Sequence, residues 1–191
     1  MERPGELVYD VRYPERLSRL LIFVKWLLVF PHLIILYFLT IAAGVVTFIA
    51  WFAILFTGHY PRGMWMFSMS VLSWSARVSA YYTLMRDEYP PFGNEPYPVR
   101  FEMAYPGRQS RLLLVVRWLT VIPHLVVLAV LGFVAGIALF LAWWAILFTG
   151  RFPRSLFDFC VGVNRWSNRV MVYWYLLTLS LIHISEPTRR S

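Results

Sequence analysis

Cysteine is almost missing from this chain. Cys160 stands alone among 191 residues, which excludes an intrachain disulfide and a thiolate metal cluster. Flanked by Phe159 and Val161, it reads as a packing residue. Charge is scarce as well: 15% of residues are charged, where a soluble domain carries about 25%. Lys25 is the only lysine. The long apolar blocks hold no carboxylate, which argues against a proton- or sodium-coupled carrier. Gly58 and Gly150 are not followed by the Gly-Lys of a phosphate loop, and suit helix C-caps instead. Ser18 and Ser110 lack a positioned base. The reading is of a protein that is not an enzyme and carries no metal or cofactor.

What is abundant is apolar and aromatic. The chain is 59% hydrophobic and 18% aromatic, with a mean hydropathy of +0.59, which points to a lipid-embedded protein. Met1–Arg19 is polar and mixed in charge, and the apolar stretch after it is too long for a cleavable signal, so that stretch is expected to stay as an anchor. The net charge of +8 comes from arginines placed singly at the flanks of apolar stretches. Without clustering on one face they exclude nucleic acid and favour anionic lipid headgroups.

The sequence is written twice. "RLSRLLIFVKWLLVFPHL" from Arg16 returns as "RQSRLLLVVRWLTVIPHL" from Arg108, 92 positions later. The register holds through "AWFAILFTGHYPR" and "AWWAILFTGRFPR" and on to Trp74/Trp166, Arg77/Arg169 and Tyr81/Tyr173. Such an ungapped match is a duplication. It divides the chain into a first membrane repeat (7–86), a proline-rich linker (87–98) and a second repeat (99–178). Upstream of each apolar block, Leu7–Tyr13 and Val99–Tyr105 alternate apolar and polar residues. They predict two short strands pairing about a pseudo-two-fold axis, outside the membrane.

At Leu179 the match stops. "LSLIHISEPTRRS" (179–191) resembles the translated product of a transposon-based sequencing-library adapter, and it falls where the repeat calls for another "DEYPPF". It is treated as non-native and set aside from functional reasoning.

Leu20–Phe56 allows two readings. One is a single span from Leu33 with an interfacial segment before it. The other is a helical hairpin, kinked at Pro31 and turning near Ala43-Gly44, with an equivalent turn at Ala135-Gly136. Arginines on both flanks favour the hairpin, which returns both ends to the cytoplasm and sets the copies parallel, whereas single spans would invert them. Met64–Met85 and Leu156–Leu177 carry apolar residues at helical spacing beside Asp158, Asn164, Arg165 and Asn168, and are expected to lie at the interface. The fold class expected is an all-α membrane protein of two tandem copies. Each copy has a short strand, a proline-kinked hairpin and an amphipathic helix.

The candidate headgroup contacts are Arg16, Arg19, Arg77 and the Lys25-Trp26 pair in copy one, and Arg108, Arg111, Arg169 and the Arg117-Trp118 pair in copy two. Lysine or arginine beside tryptophan suits an interface anchor, with the cation snorkelling to water. Arg77 and Arg169 have a competing role in internal pairing, which the cost of burying an unpaired cation favours. His32 and His124 each follow a proline. They would line a solute or ion conduit if the copies brought them together; otherwise each bonds a carbonyl freed by its proline, the favoured reading.

The motifs "YPERLSRLL", "AWFAILFTGHYPRG" and "RVSAYYTLMRDEYPPF", with "AWWAILFTGRFPRSLFDF" and "NRVMVYWYLLT" in copy two, resemble the bacterial domain-of-unknown-function family numbered 4389. The resemblance covers nearly everything before Leu179 and implies a multi-pass membrane protein, with no activity attached. Copy one has "GMWMF" where copy two has "SLFDF", so a role of Asp158 need not exist twice. The expectation is a scaffold, accessory subunit or anionic-lipid-interacting module of the inner membrane, alone or as an oligomer, with the conduit as the alternative.

Overall fold

The computed structural model describes residues 7–93, 95–106, 109 and 111–178. The order is β1 (Leu7–Val11), α1 (Leu21–Thr57), α2 (Arg62–Tyr82), β2 (Val99–Met103), α3 (Arg111–Thr149) and α4 (Arg154–Trp174). The two strands form an antiparallel ribbon. Its central pair, Tyr9 and Phe101, are repeat equivalents, so the ribbon sits on the pseudo-two-fold axis as the alternation predicted.

The hairpin reading is corrected. α1 runs unbroken through Pro31 and Ala43-Gly44, and α3 through Pro123 and Ala135-Gly136. Gly44 costs a helix only about 1 kcal/mol relative to alanine, too little to force a turn inside a long run of good packing residues. Ala43, Ala50 and Ile54 are buried in the core, and a turn there would expose them. Each helix ends instead at a left-handed glycine, Gly58 at φ 74° and Gly150 at φ 69°. Their amides return to Ile54 and Ile146, each at 2.8 Å.

At 1.5 Å per residue α1 and α3 are each about 55–60 Å long, and both are long and apolar enough to cross a membrane. They run antiparallel. The Leu17 amide donates to Gly150 O and, 92 positions on, the Gln109 amide donates to Gly58 O, each at 2.8 Å. The start of each long helix is thereby tied to the end of the other. Tyr13 donates to Phe152 O at 2.5 Å, and Tyr105 repeats this to Tyr60 O.

α2 and α4 pack back along α1 and α3, respectively. The ribbon covers them crosswise: β1 of the first repeat lies on α4, and β2 of the second lies on α2. Arg165 Nε donates to Tyr9 O at 3.0 Å near the middle of this exchange. Three layers result, with the ribbon on one side, α2 and α4 in the middle and the two long helices on the other. The outer face of α1 and α3 is apolar and open, with Phe23, Phe38, Phe48, Phe133, Phe140 and Phe148 among its exposed side chains.

Candidate functional site

The two copies place one basic side chain each at the same buried point. Lys25 on α1 and Arg117 on α3 stand 92 positions apart, and are only 2% and 3% exposed. Lys25 Nζ meets Arg86 O and Asp87 Oδ1, each at 2.7 Å, and lies over the Tyr81 ring at 5.1 Å. Arg117 donates to Thr178 O at 2.5 Å and Tyr173 O at 3.2 Å, with its guanidinium 4.3 Å from the Tyr173 ring centroid. Every element of the Lys25 site is thus repeated except Asp87, whose equivalent by register is Leu179.

Both basic side chains therefore differ from the expected snorkelling anchors: each turns inward to cap carbonyls at the end of α2 or α4. The carbonyls left outside the helix ladder there explain the choice, since a helix C-terminus attracts a cation. Trp26, beside Lys25, is exposed as a lipid-facing residue would be. Arg16, Arg19 and Arg111 are exposed, with Arg111 donating to Phe56 O at 3.0 Å. Arg108 and the Trp118 side chain lie outside the described residues.

Arg77 is buried and donates to Gly93 O at 2.8 Å. Burial lowers its pKa from the ordinary arginine value. Its repeat equivalent, Arg169, is half-buried and has partners of its own.

His32 is fully buried in a cage of Trp74, Tyr89 and Phe92, with the Phe92 ring stacked at 4.2 Å. His124 meets Trp166 at 6.4 Å, and its Nδ1 lies 2.8 Å from Thr120 O, next to Leu119 O, the carbonyl that Pro123 leaves without a helical amide. His32 is enclosed by the first repeat and the segment after it, His124 is half-buried against the second repeat, and their ring contacts share no residue. Among the described residues, no group of three His, Cys, Asp or Glu side chains could hold a metal.

The segment read as a proline-rich linker folds back onto copy one. Asp87 accepts from the Ser18 amide at 2.5 Å. Arg86 forks onto Glu88 and donates to Arg12 O at 2.7 Å. Burial alone would raise the Glu88 pKa, but the Arg86 hydrogen bonds outweigh it and hold the carboxyl below its usual value. Alternation and proline content gave no sign of this clamp. The missed signal was the "RDE" run, a charge cluster where the rest of the chain has almost none.

Twin clefts flank the axis where each long helix passes the other copy. One is bordered by Tyr82, Leu84, Leu139, Phe140 and Trp143, with a volume of about 420 Å³. Its repeat counterpart, about 430 Å³, is bordered by Thr47, Phe48, Trp51, Arg117, Trp174 and Leu176. Leu84 and Leu176 both adopt left-handed backbone, φ 62° and 61°. Each follows a helix end at which the next amide returns across six residues at 3.0 Å, Met85 to Ala80 O and Leu177 to Val172 O.

The family model described as Domain of unknown function (DUF4389) matches residues 19–93 and again 111–179. The chain belongs to this family. The two matches coincide with the tandem repeat, and each covers one long helix with the helix packed against it. No curated protein and no solved structure matches the chain. Membership of DUF4389 brings no chemistry, so what the chain does rests on its own geometry.

Proposed function

We propose that this DUF4389 chain is a non-enzymatic membrane scaffold of the inner membrane, seated in the plane of one leaflet, with α1 and α3 lying flat as its lipid-facing layer. The observation that carries this is the ribbon's place on the pseudo-two-fold axis. Two antiparallel helices exchanged by a two-fold have that axis perpendicular to the plane containing both, through their midpoints. The Tyr9–Phe101 pair therefore stands above the middle of α1 and α3. Were the long helices to cross a bilayer, the exposed Asp10, Arg12, Arg100 and Glu102 of the ribbon would lie at its midplane. Each such charge costs roughly 2.5–3.5 kcal/mol there, on the order of 10 kcal/mol together.

Laid flat, the same molecule puts these four charges on the water side. Its open apolar face is two helix widths across and about 55 Å long, on the order of 1,000 Å². A soluble protein's largest patch is about 300–600 Å². Trp26 and the exposed Arg16, Arg19 and Arg111 then fall at headgroup level, at the ends of the slab. Anionic lipid is the partner that this rim suits.

Labelling from one side tests the reading. With Cys160 replaced by alanine, single cysteines go in at Arg16, Arg62 and Glu102 of protein in sealed, uniformly oriented vesicles. An impermeant maleimide should reach all three from the same side. A spanning protein would show Arg16 and Arg62 on opposite sides.

A further inference from the structure

We infer that the Arg117 cleft is a binding site for an anionic single-chain amphiphile, its carboxylate or phosphate held by the guanidinium and its chain lying between α1 and α4. The cleft of about 430 Å³ suits a medium-length chain, and Phe48, Val121 and Leu176 give it apolar walls. Two donors of residues that border it have no partner among the described residues: Arg117 Nε and Trp51 Nε1, both buried. Buried donors are nearly always bonded, so two on one cavity mark a place for an acceptor. The charge makes the same demand. Lys25, its repeat equivalent, has Asp87 at 2.7 Å, whereas Arg117, equally buried, meets backbone carbonyls and a ring. A buried cation with no counterion among the described residues favours an anion from outside.

Exposed Phe48 and the partly exposed Trp174 form the rim, so the cleft borders the apolar face of α1 and α3. The inference takes the source of the ligand from the lipid reading above, but its test needs no bilayer, so the two fail separately.

The probe is dodecyl phosphate, titrated by phosphorus NMR into the full chain in neutral maltoside micelles. Inorganic phosphate and dodecyltrimethylammonium serve as the other arms. The site predicts one saturable equivalent of dodecyl phosphate, no displacement by the ammonium amphiphile and at least tenfold weaker binding of inorganic phosphate. Arg117→Gln and Gly44→Leu should each weaken binding at least tenfold. The second variant keeps the test open should the first fail to fold, because a Cβ at Gly44 meets nothing within 4 Å and a larger side chain there only fills the cleft. Two equivalents, displacement by the ammonium amphiphile, inorganic phosphate binding as tightly as dodecyl phosphate, or undiminished binding in a folded variant would each overturn the inference.

Discussion

Tyr9 and Phe101 face each other across the ribbon although 92 residues separate them, and no other pair in the ribbon joins repeat equivalents. That one pairing fixes the symmetry axis, and with it the relation of the ribbon to the two long helices. It also makes the fold a mutual exchange, since each repeat holds down the other's strand. Cutting the chain between the repeats should leave neither half with its ribbon, so separately expressed 1–93 and 94–191 should fold only when mixed. Circular dichroism of each half alone and of the mixture checks this.

The Lys25–Asp87 pair anchors the clamp that follows α2. Removing one partner leaves a buried charge, and Asp87→Ala should cost about 3 kcal/mol. Thermal unfolding in neutral detergent measures it. Lys25→Met combined with Asp87→Ala should recover most of the loss, since an apolar side chain of similar length needs no counterion.

Gly58 and Gly150 do equivalent work at the ends of α1 and α3. Replacing either with alanine puts a Cβ on left-handed backbone, at about 1–2 kcal/mol. The two should cost about the same, because the added Cβ meets only ordinary van der Waals contacts, 3.5 Å to Arg19 Nε and Leu17 O at Gly150 and 4.0 Å to Gln109 O at Gly58. Paired melting curves check the equality.

Glu88 sets a pH dependence. Its pKa is lower in the folded chain than the usual glutamate value of about 4.3. The stability it contributes is therefore fully present above that value and is lost as pH falls through the folded pKa. Melting temperature against pH should show an acid-side decline that is shallower in Glu88→Gln.

Cys160 is buried, and burial pushes its thiol up to about 11. It should resist iodoacetamide at pH 8 in the folded protein and react at once in denaturant, as read by mass spectrometry.

Period-2 alternation was enough to place the strands, and the repeat was enough to pair them about an axis. The 3.6-residue spacing of Phe67, Val71, Trp74 and Val78 placed α2 in the same way. These signals are local or are printed twice. The course of α1 was not legible, because Ala43-Gly44 reads equally as a turn or as a close-packing patch, and only the burial of Ala43 and Ala50 decides between them. The inward turn of Lys25 was hidden for a similar reason. Its carbonyl partner, Arg86 O, lies 61 residues away, and lysine beside tryptophan has the same spelling at a membrane surface. The clamp over His32 depends on Tyr89 and Phe92 folding back, which no periodicity reports.

The orientation of α1 is the central claim, and spin-label depth measures it most directly. With Cys160 replaced by alanine, single labels at Leu27, Phe38 and Phe56, all exposed on one face of α1, are compared for oxygen and nickel-chelate accessibility in lipid vesicles. An in-plane helix predicts one shared depth within a few ångströms at all three positions. A label at Phe38 near the bilayer centre, with Leu27 and Phe56 close to opposite surfaces, would contradict it.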